Sequence, residues 1–189
     1  MNFLVDPTIV TNFNRTDHEL ELYWLFCQVV AGKTARVQAK ALERFMLMGT
    51  SGGPYDRLRE MVNSGALTAN LQASKLGQYN RLSKGFSESL NLNLRTATVS
   101  DLTAITGVGD KTARYFLLHT RADQKIAVLD RHVLRHLGIL GHKVPTGTPS
   151  GKKYLELEQV FLKEAENNQM TPADYDLMLW NQYSKVTKP

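Results

Sequence analysis

Apolar positions recur at helical spacing along nearly the whole chain, and no stretch alternates long enough to form a sheet. Leu20, Leu22, Trp24, Leu25, Cys27, Val29 and Ala31 predict a helix over 18–31 that is buried on most sides. A second helix is expected over 34–48, with Val37, Ala41, Phe45 and Met48 as its inner stripe. The glycines and proline of 50–54 end it. Patterning is weaker over 55–90, carried by Leu58, Met61, Val62, Leu71, Leu76, Tyr79 and Leu82. Ser100 reads as the N-cap of a short helix, and a glycine turn over 106–109 leads into another helix over 110–119. A short helix from Asp130 is expected to end at Gly138 as its C-cap. Residues 145–151 form the clearest loop, followed by a helix over 152–167 with Tyr154, Leu157, Phe161 and Ala165 on one face. Thr171-Pro172 is a helix start, cap then proline. The expected class is all-α.

Composition narrows the class of function. A chain of 189 residues can bury one core or form two small lobes around a cleft. Its 42% hydrophobic and 22% charged residues are ordinary for a soluble globular protein. Twenty-three Lys and Arg against 18 Asp and Glu give a net charge of +5 and an isoelectric point near 9.3. That balance favours an acidic partner, nucleic acid above all. Cys27 is the only cysteine and lies in an apolar run, so neither a disulfide nor a four-thiolate iron–sulfur cluster can form within the chain. His119, His136 and His142 lack metal-ligand spacing with a second partner, so neither metal nor cofactor is expected. No apolar window approaches a membrane span and the first residues lack a secretory pattern. The expectation is an intracellular protein, cytoplasmic or associated with the nucleoid.

The informative stretch runs from Asp101 to Ala113. A short helix meets Gly107-Val108-Gly109, and a second helix begins at once. Glycines allow positive φ and close approach of another backbone. The first amides of the second helix lack internal partners and, with the positive end of the dipole, suit a DNA phosphate. An ordinary tight turn between packed helices would use the same glycines. Lys111 changes the balance, because the first turn of a helix disfavours a cation unless it faces solvent or is placed for use.

Ile105-Thr106-Gly107-Val108-Gly109-Asp110-Lys111-Thr112-Ala113 resembles the helix-hairpin-helix of the DNA glycosylase superfamily that includes endonuclease III. The segment from Ala127 to Arg135 resembles the part carrying that family's essential aspartate. The chain is closer still to the archaeal-type 8-oxoguanine glycosylase/lyases. That likeness rests on Tyr115-Phe116-Leu117-Leu118, Leu129-Asp130-Arg131-His132, Lys152-Lys153-Tyr154 through Glu158, and Asp176-Leu177-Met178-Leu179-Trp180. It is dense over 100–185 and thin over 35–95.

The resemblance implies Lys111 as nucleophile, Asp130 as the assisting carboxylate, and Gly107, Val108, Gly109 and Thr112 as phosphate contacts. An amine that attacks C1′ displaces the base and leaves a Schiff base, which permits elimination at the 3′ phosphate. A carboxylate stabilises the cation developing on the sugar. Asp130 would also suit a plain helix N-cap, and both roles together are expected. His132 and Arg135 have a solvent-facing reading. The enzyme must extrude the damaged nucleotide from the duplex. The family's usual gap-filling amide is missing from 31–36, where Lys33 and Arg36 could contact phosphates or the orphan base. The family's closing segment implies Lys185 and Lys188 as base-recognition residues, with Trp180 in the helix-packing core or edging toward the base. The implied partner is duplex DNA with a damaged base, met by a monomer. The chain is expected to be one domain, 1–189, with two lobes. One spans 33–125 and holds the hairpin at 100–120; the other joins 1–32 to 126–189. A same-mechanism enzyme for another lesion or a modified base, and a non-catalytic hairpin module, are the competing readings.

Overall fold

The protein is described here by a computed structural model covering residues 2–50 and 52–184. Among them, ten helices follow one another: α1 (Asp17–Val30), α2 (Ala35–Met46), α3 (Pro54–Asn63), α4 (Leu67–Ala73), α5 (Tyr79–Ser89), α6 (Val99–Thr103), α7 (Asp110–Thr120), α8 (Arg131–Ile139), α9 (Gly151–Asn167) and α10 (Pro172–Ser184). The class is all-α, as the periodicity indicates.

Local chemistry sets the helix ends. Thr16 and Glu19 close a capping box ahead of α1, the Thr16 amide donating to Glu19 Oε2 at 2.7 Å. Thr98, not Ser100, caps α6, in a second box with Asp101. α8 runs through Gly138 to Ile139, and the chain turns at Gly141, whose φ is +90°. Gly138 is therefore no cap, because the left-handed residue that ends this helix lies three positions later. Thr171 caps α10 as expected, its hydroxyl accepting from the Asp174 amide at 3.1 Å.

Apolar side chains form two main groups in the core and a small third one of Leu118, Val128 and Ala173. The larger gathers α1 to α7 around Trp24, Leu25, Phe45, Phe86 and Phe116; the smaller joins Leu129, Val133 and Leu137 to Tyr154, Phe161, Tyr175 and Leu179. α1 lies against α2, α3, α5 and α7, because it is apolar on nearly every face and needs cover on all of them. The segment before α1 crosses to the end of α7, where Thr11 meets His119. The stripe of α2 is also displaced. Val37 and Met48 are exposed, while Gln38, Ala41, Leu42, Phe45 and Met46 face inward.

A buried polar cluster ties α7 to the extended segment before α8. Arg114 Nε donates to Glu158 Oε1 at 2.8 Å, and the same oxygen accepts from the Ala127 amide at 2.9 Å. The Tyr154 hydroxyl donates to the Ala127 carbonyl at 2.8 Å and accepts from the Leu129 amide at 3.1 Å. The chain leading to Asp130 is thus held along the edge that faces α9, without a sheet.

Candidate active site

The hairpin between α6 and α7 turns on Gly107, whose backbone lies in the left-handed region that favours glycine. Gly107 has φ +79°, and a Cβ there would overlap the Arg81 side chain. Arg81 crosses the turn, donating to the carbonyls of Gly107 at 3.2 Å and Gln28 at 2.9 Å. Glu88 holds the other side, accepting from the Thr106 amide at 2.6 Å and hydroxyl at 2.8 Å. These bonds to Thr106 keep the Glu88 carboxyl below the usual range. Val108 is buried and contributes backbone rather than side chain to the surface. Gly109 is the N-cap of α7, and no side chain among the described residues caps the amides that follow. The first turn of α7 therefore offers free N–H groups beside an exposed glycine.

Lys111 is the second residue of α7 and is half-buried. Asp130 is the N-cap of α8, its Oδ1 accepting from the amides of His132 at 2.7 Å and Val133 at 2.9 Å. The fold brings these two groups to a third that sequence reading did not single out. Asp176 on α10 is 7% exposed, and its Oδ2 lies 3.2 Å from Nε2 of the fully buried His119. Burial raises the proton affinity of Asp176; the bond to His119 opposes this, the charge of Asp130 adds to it and that of Lys111 reduces it. Nδ1 of His119 pairs with the Thr11 hydroxyl at 2.8 Å.

The remaining expected residues are dispersed around this centre. Lys33 Nζ donates to the Leu76 carbonyl at 2.5 Å, and both burial and Arg81 lower its proton affinity. Arg36 is exposed in the first turn of α2. A recess of about 310 Å³ lined by Gln78, Tyr79, Asn80 and Arg81 adjoins the hairpin. Gln78 caps α5 in the left-handed region at φ +50°. Trp180 is 51% exposed and stands one helical turn beyond Asp176, so it is not packing core. His132 is buried rather than solvent-facing, and Arg135 is exposed over the Tyr183 ring. Lys185 and Lys188 lie outside the described residues. Cys27 is buried in the larger core, which holds its thiol well above the ordinary range. No cluster of three His, Cys, Asp or Glu able to hold a metal ion occurs among the described residues, and no helix among them is long and apolar enough to cross a membrane.

An all-helical chain with a glycine hairpin opening onto an uncapped helix defines a helix-hairpin-helix protein. A model of the 8-oxoguanine DNA glycosylase family matches residues 9–170, and the chain belongs to that family. It is 40% identical over 76 residues to the 8-oxoguanine DNA glycosylase/AP lyase of Thermotoga maritima, a match covering 39% of this chain and 36% of the relative. The enzyme of the same name from Methanocaldococcus jannaschii is 26% identical over 178 residues, covering 88% of this chain and 81% of the relative. The crystal structure of the Methanocaldococcus jannaschii 8-oxoguanine glycosylase/lyase with a 15mer DNA containing 8-oxoguanine superposes with a TM-score of 0.67 at 23% identity, covering 96% of this chain and 87% of that one.

Proposed function

We propose that the protein is a bifunctional DNA glycosylase and abasic-site lyase that removes 8-oxoguanine from duplex DNA through a Schiff base on Lys111. The observation carrying this reading is Lys111 in the first turn of the helix that opens from an uncapped glycine hairpin, with Asp130 as the N-cap of the helix that follows. The hairpin amides hold the backbone near the lesion and carry no sequence information. Lys111 attacks C1′, Asp130 stabilises the positive charge growing on the sugar, and the base departs. Elimination from the Schiff base then cuts the strand on the 3′ side. The two apolar groups act as lobes enclosing the duplex, and Lys33 and Arg36 meet phosphates flanking the lesion. Trp180, exposed one turn from Asp176, offers a face on which the extruded base can stack. Lys185 and Lys188 complete base recognition from the tail. The enzyme works as an intracellular monomer without a cofactor.

Borohydride reduction tests this directly. The protein is expected to form a covalent complex with an 8-oxoguanine duplex, and Lys111→Gln to form none while still binding DNA. Trapping only on other lesions would remove the substrate assignment and keep the chemistry. Absence of trapping on every duplex, with DNA binding intact, would leave a hairpin module that binds without catalysis.

A further inference from the structure

Asp110 and Lys111 open α7, and the segment from Ala127 to Leu129 leads into Asp130, the N-cap of α8. A buried set of polar side chains spans the space between them. Arg114, one turn along α7 from Lys111, is 5% exposed, and its guanidinium bonds in two directions. Nη1 donates to Asp110 Oδ1 at 2.5 Å, while Nε donates to Glu158 Oε1. That same Glu158 oxygen accepts from the Ala127 amide. The guanidinium also stacks over the ring of the fully buried Tyr154. The Tyr154 hydroxyl donates to the Ala127 carbonyl and accepts from the Leu129 amide. Past Leu129 the chain closes at once, the Asp130 amide donating to the Val128 carbonyl at 2.8 Å. Hydrogen bonds therefore run without a gap from Asp110, the residue before Lys111, to Leu129, the residue before Asp130.

Stability does not call for this arrangement. Two charges taken out of water recover little beyond their desolvation cost, and apolar side chains of similar volume pack as well or better. What apolar side chains lack is direction. A guanidinium fork, and a phenol that donates and accepts together, fix angles as well as distances.

We infer that Arg114, Glu158 and Tyr154 are positioning residues that hold Asp130 in register with Lys111 for the step that expels the base. This rests on the lyase reading above, in which both side chains act on one sugar. In that step the free amine of Lys111 forms its bond to C1′ as the bond from C1′ to the base breaks, the electron pair leaving with the base. Asp130 must face the positive sugar at the same moment, and an error of about 1 Å in either group costs roughly 10²-fold. A preformed abasic site sets Lys111 an easier task. The base is already gone, and the amine adds to the aldehyde of the opened sugar with no cation to stabilise on a closed ring.

The test compares these two tasks in the full chain. Single-turnover excision is measured on an 8-oxoguanine duplex, and the rate of borohydride trapping on the same duplex with a preformed abasic site. Tyr154→Phe keeps the ring under Arg114 and removes only the hydroxyl. It should excise about 10²-fold more slowly, trap the abasic site at close to the wild-type rate, and bind duplex with unchanged affinity. Phe161→Leu, a cavity in the same apolar group, disturbs packing without touching these bonds, and should leave the ratio of the two rates as in the wild type.

Excision at the wild-type rate in Tyr154→Phe, or equal loss of excision and trapping, would overturn the inference. So would a ratio that shifts as far in Phe161→Leu. Should Tyr154→Phe not fold, Arg114→Lys carries the same comparison. It keeps the charge and loses the fork, so excision should fall while trapping holds, and equal loss of both would again overturn the inference. A wild type that traps no duplex at all would bring down the lyase reading, and this inference with it.

Discussion

Asp130 directs both of its cap bonds to Oδ1, and among the described residues no bond engages Oδ2. One carboxylate can therefore end a helix and face a reaction. The two roles separate by substitution. Asn caps about as well as Asp, so Asp130→Asn should keep the folding free energy within a few tenths of a kcal/mol while losing most excision activity. Asp130→Ala should lose the activity and, in addition, about 1 kcal/mol of stability measured by urea unfolding. If Asn at 130 proved fully active, Asp130 would be a cap and nothing more. At this scale Lys111 was legible because a cation in the first turn of a hairpin helix is out of place on electrostatic grounds. Local spacing addresses His119 only as a metal ligand, and its partner Asp176 is 57 residues away in the chain. No spacing rule reaches that far.

At the scale of elements, the approach to α8 matters as much as the helix itself. Residues 127–129 are extended, and their amides and carbonyls are met by Glu158 and Tyr154 of α9. Arg114 stacks over the Tyr154 ring at 4.3 Å and neutralises Glu158, both charged side chains being under a tenth exposed. The arrangement connects the helix bearing Lys111 to the segment bearing Asp130. Glu158→Ala would leave the Ala127 amide without its acceptor and the buried Arg114 guanidinium with Asp110 alone. The expected cost is about 3–5 kcal/mol in chemical denaturation, far above that of an exposed pair such as Lys153–Glu156. Loss of less than about 1 kcal/mol would mean that water replaces the carboxylate. Tyr154 and Glu158 both stood out in the family-like segment, yet α9 reads as a plain amphipathic helix until its polar inner residues are seen against the chain ahead of Asp130.

For the molecule as a whole, a net charge of +5 is modest, so the placement of cations governs DNA binding more than their number. Affinity for undamaged duplex should fall with salt, log K against log salt having a slope of about −0.9 per phosphate neutralised. Arg36→Ala should weaken binding uniformly across sequences and reduce that slope by about 1. Lys33→Ala carries a second effect, because Lys33 also ties the start of α2 to the Leu76 carbonyl. A slope unchanged by Arg36→Ala would move the duplex away from α2.

What the sequence determined alone was local: helix periodicity, most helix starts, the glycine hairpin, and a lysine placed against the dipole. Each depends on residues within about two helical turns of one another, where backbone geometry leaves few choices. The tertiary structure decided the rest. It buried α1 among α2, α3, α5 and α7, laid Arg81 across Gly107, exposed Trp180 and set Asp176 against the buried His119. Those outcomes depend on which apolar faces find one another across long loops, and close packing settles that only when the whole chain has folded.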